Sequence, residues 1–574
     1  MSNLIKSSLK LSALAFCVAL VGCGDDEATP PLAYVPSDSP YVLANLSPLN
    51  PDTVIAMRDI YSPLAKDYMA MLDLLEADMR KKPEFNADGA QAFAILKSLI
   101  AETAVFKSDK EMENAGFKPG AMSAFYGVGL VPVFRTQVLD EDKIRALLQR
   151  VVKNAKAPLL EEKFGAGTLM RAGSDKIQLV VFIQNQQVIV SAAPAKASAE
   201  MLELIAPAKP INSSEIAERL VATQKKHGFT DDAVGFLNPT AFTYFLGNKT
   251  NALENGFIAL QSAKMEKPSA VCLKEFQQIT GIVPNVAIGL TKFEAKSMHQ
   301  KIIIELAPER AKALAAIVAP SPAYGPTSVG GFSMSIDPMN TMNYLRTQAN
   351  LVLAAPYQCD KLAELNKNAA ELKESLANPA LGMAAMVKGF GLSLDKLELD
   401  FSGEKPKPKA ISGIFAVYTD QAEAVYGMMQ AQAKGMLGEL PATLEIGKAV
   451  PISSDMLAMV DESIAKEKLH LVRGNNLLAI GMGVNSGAEL SKIATATPGA
   501  PIFLEYKYGG DLMKLMVSSI EQTMNAAPAG DPELESAKAM LELSKTAMGL
   551  MKSLEFNMQF NSSGVEIKQA TELN

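Results

Sequence analysis

Apolar and polar side chains alternate along this chain at two periods, and each period predicts a different element. Leu554, Phe556, Met558 and Phe560 alternate with Glu555, Asn557 and Gln559, and the polar run Asn561-Ser562-Ser563-Gly564 then turns the chain. Leu397, Leu399 and Phe401 alternate in the same way with Glu398 and Asp400, ahead of the loop Gly403–Lys409. A period of two gives one buried and one wet face, the mark of antiparallel sheets. Met540, Leu543, Ala547 and Leu550 instead recur at three and four, which places one apolar stripe on a helix. The expected class is α+β, with antiparallel hairpins and helices packed on one face.

The same grammar repeats. A short strand runs into a polar cap and then a helix at Val42–Pro48, at Val234–Pro239 and at Phe332–Pro338. Ser47, Asn238 and Asp337 are good N-cap types, each followed by a proline suited to the first helical position. A fourth copy, Phe503–Asp511, uses Gly509-Gly510-Asp511 without proline. Val138-Leu139-Asp140-Glu141 leads into a predicted helix Lys143–Val152, Val417-Tyr418-Thr419-Asp420 into Gln421–Gln432, and Ile304–Glu309 makes the same transition. The predicted hairpin Lys176–Val180 with Val188–Val190 matches Lys468–Val472 with Leu477–Ile480. Val286–Leu290 with Lys301–Leu306 likewise matches Leu554–Phe560 with Val565–Gln569. Two duplicated halves are therefore expected, 34–320 and 329–574, joined by a Pro/Ser/Gly linker at 321–328.

The N-terminus places the chain in the cell. Lys6 and Lys10 precede the apolar run Leu11–Val21. Eleven helical residues reach only about 16 Å, roughly half of a ~30 Å hydrocarbon core, so the run fits a signal peptide and not a membrane span. It ends in Leu20-Val21-Gly22-Cys23, which resembles the lipobox of bacterial lipoproteins. That resemblance implies cleavage after Gly22, removal of residues 1–22 and a diacylglyceryl lipid on the Cys23 thiol. Gly24 stands where Asp would signal inner-membrane retention in enteric lipoproteins, so the resemblance favours the outer membrane facing the periplasm. The inner membrane and the cell surface stay open. Residues 23–33, with Asp25, Asp26 and Glu27 before Pro30-Pro31, read as an acidic tether. Ten extended residues reach about 35 Å. Residues Leu32–Val42 resemble the opening of certain uncharacterised bacterial lipoproteins, a likeness that implies no activity.

Composition narrows the partners. Loss of Lys6 and Lys10 with the leader takes the formal charge from −7 to −9, and no long Lys/Arg run occurs, which argues against nucleic acid. No later apolar run approaches the ~18 residues of a membrane helix. With Cys17 removed and Cys23 lipidated, Cys272 and Cys359 are left as one pair in an oxidising compartment. A disulfide between them is expected, contributing on the order of 4–5 kcal/mol by the chain-entropy model. It would border the junction between the halves. Two buried thiols are the alternative.

Candidate chemistry is sparse. Gly481-Met482-Gly483-Val484-Asn485-Ser486-Gly487 misses the dinucleotide spacing by one residue and follows a hairpin strand, so it reads as a turn before the helix Ala488–Ala494. His227, His299 and His470 are the only histidines, and none has a partner at metal-ligand spacing. The pairs Met339/Met342 and Met513/Met516 could hold Cu(I) or fill irregular core, and core filling is the expected role. No cofactor, metal or catalytic residue is expected. The expected function is a non-enzymatic, membrane-anchored envelope lipoprotein acting as a binding or scaffold module for an envelope protein. The alternative is a carrier or sensor of an apolar ligand, and an enzyme of unknown type stands third.

Overall fold

The computed structural model describes residues 29–81, 87–211, 214–247, 250–260, 268–320, 327, 329–378, 381–400, 407–432, 440–453, 467–483, 486–525, 541–542 and 544–574. The leader, Cys23, the first part of the tether, Phe401, Val484, Asn485, Met540, Leu543 and all of the linker except Thr327 lie outside those residues. The chain divides into two compact units, Met1–Ile302 with Pro528–Leu550, and Ile303–Ala527 with Met551–Asn574. The division falls ahead of the proline-rich linker, where the sequence placed it. Thr327 explains part of the difference, because its hydroxyl donates to Leu394 O inside the second unit.

The first unit opens on a buried 3-10 turn, Pro31–Tyr34. This corrects the end of the expected tether 23–33, because Pro31 and Leu32 are buried and not solvated linker. The elements that follow are β1 (Tyr41–Ala44), α1 (Pro51–Met79), α2 (Ala87–Thr103), α3 (Asp109–Asn114), β2 (Ser123–Val128), β3 (Val131–Gln137) and α4 (Glu141–Asn154). Next come β4 (Leu160–Phe164), β5 (Gly167–Gly173), β6 (Ile177–Gln184), β7 (Gln187–Pro194), α5 (Ala199–Ile205), α6 (Ser214–His227) and β8 (Val234–Leu237). The unit continues through α7 (Ala241–Leu246), α8 (Ala252–Ala259), α9 (Ala270–Thr280), β9 (Asn285–Glu294) and the start of β10 (Ser297–Glu305). Strand order is β4-β5-β6-β7-β3-β2-β1-β8-β9-β10, with antiparallel register from β4 to β9. Asn185 and Gln186 both take positive φ (57° and 55°), the two-residue turn that suits the twist of the β6–β7 hairpin.

Both faces of this sheet are covered, which overturns the expectation of helices on one face only. Ile144, Leu147 and Val151 of α4 pack toward Met170, Val181 and Ala172 on one side. On the other, the Arg219 guanidinium of α6 lies 3.4 Å above the Phe236 ring of β8. The central strands accordingly hide both sets of side chains: Val180, Val181, Phe182 and Ile183 of β6 are all buried.

The second unit contains α10 (Pro308–Ala315), β11 (Gly330–Ser335), α11 (Pro338–Ala354), α12 (Ala363–Ser375), α13 (Leu381–Ala384), β12 (Gly389–Asp400), β13 (Lys407–Tyr418) and α14 (Ala422–Gln432). After these come β14 (Val450–Ile452), β15 (Leu469–Arg473), β16 (Leu477–Met482), α15 (Ser486–Thr495), β17 (Leu504–Gly509), α16 (Gly510–Asn525), β18 (Met551–Asn561) and β19 (Gly564–Leu573). Helix α10 packs on β18 and β19, which is why it belongs here and not with the first half. Strand order is β14-β15-β16-β13-β12-β11-β17-β18-β19, antiparallel throughout. Here too helices occupy both faces. Leu490 and Ala494 of α15 join Ile414, Ala416 and Val472, while Ala422 and Tyr426 of α14 join Leu471 and Leu478. In the middle of the sheet β11 needs glycine, since a Cβ on Gly331 would sit 2.2 Å from Leu392 O.

The three predicted proline-following caps behave differently. Asp337 is the N-cap of α11, accepting from Asn340 N–H at 2.9 Å with Pro338 at the first position, as expected. Its other oxygen also meets Lys388 Nζ at 3.5 Å, and Lys388 bridges on to Asp420 at 2.8 Å. Asn238 instead accepts from Thr240 N–H at 3.0 Å, and α7 begins only at Ala241. Ser47 is not a cap: Asn50 accepts from Asp52 N–H at 2.8 Å, and α1 starts at Pro51. Asp337→Ala should therefore cost about 1–2 kcal/mol, the upper half of the cap range, and Asn238→Ala clearly less. Urea midpoints followed by circular dichroism compare the two, and equal losses would show that the Lys388 contact adds nothing.

Candidate functional site

A cavity of about 220 Å³ lies within the first unit, between one face of its sheet and the helices above. Its floor follows from strand register. Phe125 pairs with Phe134, Phe134 with Val190, and Val190 with Val181, so these four side chains project on the same side. Its roof comes from helix spacing: Leu147, Leu148 and Val151 of α4 and Ile95, Leu96 and Leu99 of α2 face down at three- and four-residue intervals. Asp140 starts α4 by accepting from Asp142 and Lys143 N–H, which sets the phase of that stripe. Phe106 and Phe117 close one side in an edge-to-face pair at 5.6 Å.

The few hydroxyls in the wall are committed elsewhere. Thr103 donates to Leu99 O at 2.9 Å and Ser191 to Pro132 O at 2.8 Å, both carbonyls of the protein itself. Thr136 donates to Gln137 O at 3.4 Å. Arg171 borders the cavity, but it pairs with Val180 and Leu160, on the side of the sheet away from Val181, and its Nε meets Glu162 at 2.7 Å. The space thus offers dispersion contacts and no charge. An apolar void of ~150 Å³ already stays dry and admits a benzene-sized solute.

The opposite face of the same sheet holds an unusual residue. Arg135 on β3 is fully buried, and its guanidinium lies 3.9 Å beneath the Tyr34 ring. Arg135 Nη1 donates to Gln187 Oε1 at 2.9 Å, and Gln187 Nε2 donates in turn to Thr29 O at 2.6 Å. The Tyr126 hydroxyl lies beside the Arg135 guanidinium, whose Nε and Nη2 find no well-formed hydrogen bond, and no carboxylate pairs with Arg135 among the described residues. Burial holds the Arg135 guanidinium below its ordinary pKa and pushes the Tyr126 hydroxyl up. The segment Thr29–Val35 is therefore a strap laid across β2 and β3, with Arg135 beneath it.

The residues singled out in the sequence do not assemble into one site. Cys23 lies outside the described residues. Cys272 in α9 and Cys359 before α12 are 8% and 2% exposed, and each is disulfide-bonded. His227 falls in the last turn of α6, its ring 5.7 Å from that of Phe229. His299 Nε2 contacts Ser297 Oγ at 3.0 Å on β10. His470 Nδ1 meets Ser486 Oγ at 2.8 Å, but Ser486 is buried and gives its proton to Gly483 O at 2.7 Å. An imidazole that donates to the hydroxyl is not acting as its base, so this pair braces the start of α15. The methionine pairs are not equivalent, since Met513 is 2% exposed and Met339 53%. Among the described residues no three His, Cys, Asp or Glu are grouped to hold a metal ion, and no helix is long and apolar enough to cross a membrane.

The chain matches no known family, no curated protein and no solved structure.

Proposed function

We propose that the protein is a membrane-anchored envelope lipoprotein, lipidated on Cys23, that binds an apolar ligand in its first unit without catalysing a reaction. The observation that carries this reading is the cavity of about 220 Å³, walled by aliphatic and aromatic side chains whose neighbouring hydroxyls are already bonded to carbonyls. Gly24 behind the lipidated cysteine favours the outer membrane facing the periplasm. Duplication belongs to the same proposal. Leaving β4 aside, the order from β5 to β10 and the order from β14 to β19 connect their strands in the same sequence. In each, the strand ahead of the unit's first cap lies inside the sheet, flanked by hairpins in the same arrangement.

Filling the cavity tests the ligand reading. Leu148→Trp and Val190→Trp each push an indole into the space from opposite walls. The native protein should bind a naphthyl fluorescent probe saturably, and each variant should lose about tenfold or more in affinity, some 1.4 kcal/mol, while its melting curve stays cooperative. Unchanged probe binding in both folded variants would remove the cavity as the ligand site.

A further inference from the structure

We infer that the buried edge of the Arg135 guanidinium is a binding site for a small monovalent anion, of the size and charge of chloride, held by Arg135 Nε and Nη2 together with the Tyr126 hydroxyl. The donor set carries the inference. Arg135 Nη1 is already spent on Gln187 Oε1 at 2.9 Å. The two nitrogens left without a well-formed acceptor, Nε and Nη2, share one edge of the guanidinium. That edge presents two parallel N–H bonds and takes an anion between them. Tyr126 lies beside the guanidinium, and no acceptor among the described residues faces its O–H. Burial keeps this hydroxyl un-ionised, so it brings a third donor.

Among the described residues nothing negative neutralises the edge. The residues directly opposite Arg135 on the neighbouring strands are Ala124 and Ile189, both apolar and buried. The Tyr34 ring, 3.9 Å from the guanidinium carbon, covers one face of the group and leaves its edge free. A guanidinium taken out of water without a counter-charge is strongly disfavoured, and its pull on an anion grows as the local dielectric falls. Size and charge of the occupant follow from the surroundings. Arg135, Tyr126 and Gln187 are all fully buried, so the occupant under the seated strap is no larger than a single ion. One guanidinium offers one positive charge, which a halide matches and a sulfate dianion exceeds. The site is on the face of the sheet opposite the apolar cavity and is independent of it.

The test melts the full chain in sodium chloride and in sodium gluconate at equal ionic strength, gluconate being too bulky to stand in for a single ion. Chloride at about ten times its dissociation constant should raise the native midpoint by about 2–4 °C. Arg135→Met fills most of the volume without the charge and should melt at the same temperature in both salts. Tyr126→Phe keeps the ring and should need about tenfold more chloride for the same rise. A native midpoint equal in both salts, or a chloride rise that persists in Arg135→Met, would overturn the inference. Should Arg135→Met fail to fold, Tyr126→Phe decides alone, and a chloride dose curve identical to the native one overturns it.

Discussion

Arg135→Ala destabilises the first unit by about 2–5 kcal/mol, the range seen when a large core side chain is cut to alanine. The loss has two sources. Removing the guanidinium leaves a void between β3 and Tyr34, and it strips Gln187 of its donor while that glutamine still holds Thr29. Arg135→Met separates volume from charge. Methionine fills most of the space, and volume-conserving changes usually cost under ~1.5 kcal/mol. It also removes a buried cation with two unbonded nitrogens, a replacement that is often neutral or stabilising by ~1–4 kcal/mol. The methionine variant should therefore melt near the native temperature and the alanine variant well below it. A methionine variant as unstable as the alanine one would show that the bonds to Gln187 and Tyr34, and not the filled volume, hold the strap.

Cys23→Ala should abolish membrane association altogether. A single acyl chain gives a membrane binding constant of only about 10⁴ M⁻¹, and several chains on one residue combine to make anchoring stable. Without the thiol no chain is attached, so the protein should be released or accumulate as uncleaved precursor. Detergent phase partition and labelled palmitate report the two outcomes. A Cys23→Ala protein that still partitions with membranes and takes up palmitate would refute the lipoprotein reading. The described fold should survive the change, because the strap is held by Arg135 and Gln187.

The hairpins and several helix starts were legible because their determinants are local. The alternation Leu554–Phe560 and its Asn-Ser-Ser-Gly turn became β18 and β19, Asp337 caps the helix it was expected to cap, and the transition through Asp140 does lead into a helix. Ser47 misled because a second cap with a second proline, Asn50-Pro51, stands three residues on, and nothing in the sequence ranks the two. The expectation of helices on one face came from Leu397–Phe401 and Leu554–Phe560, which do alternate in the sequence. The run Leu179–Ile183 in β6 carried the opposite signal, a continuous apolar stretch that suits burial on both sides. The cavity left no trace in the sequence. It depends on how the volumes of α2 and α4 side chains fit those of β2, β3, β6 and β7, and periodicity sets direction without setting fit. Arg135 was equally silent, since its partners Tyr34 and Gln187 lie on remote segments.

The strap also orders events in time. Thr29 and Gln187 are 158 positions apart, so their bond closes a loop that spans most of the first unit. Thr29 has nothing to dock on until β7 has paired with β3 and brought Gln187 into place. Closing so long a loop is slow compared with forming the local β6–β7 hairpin. The strap is thus late to settle, and until it does Arg135 lacks its cover from Tyr34. Seating of the strap is the step that closes that face.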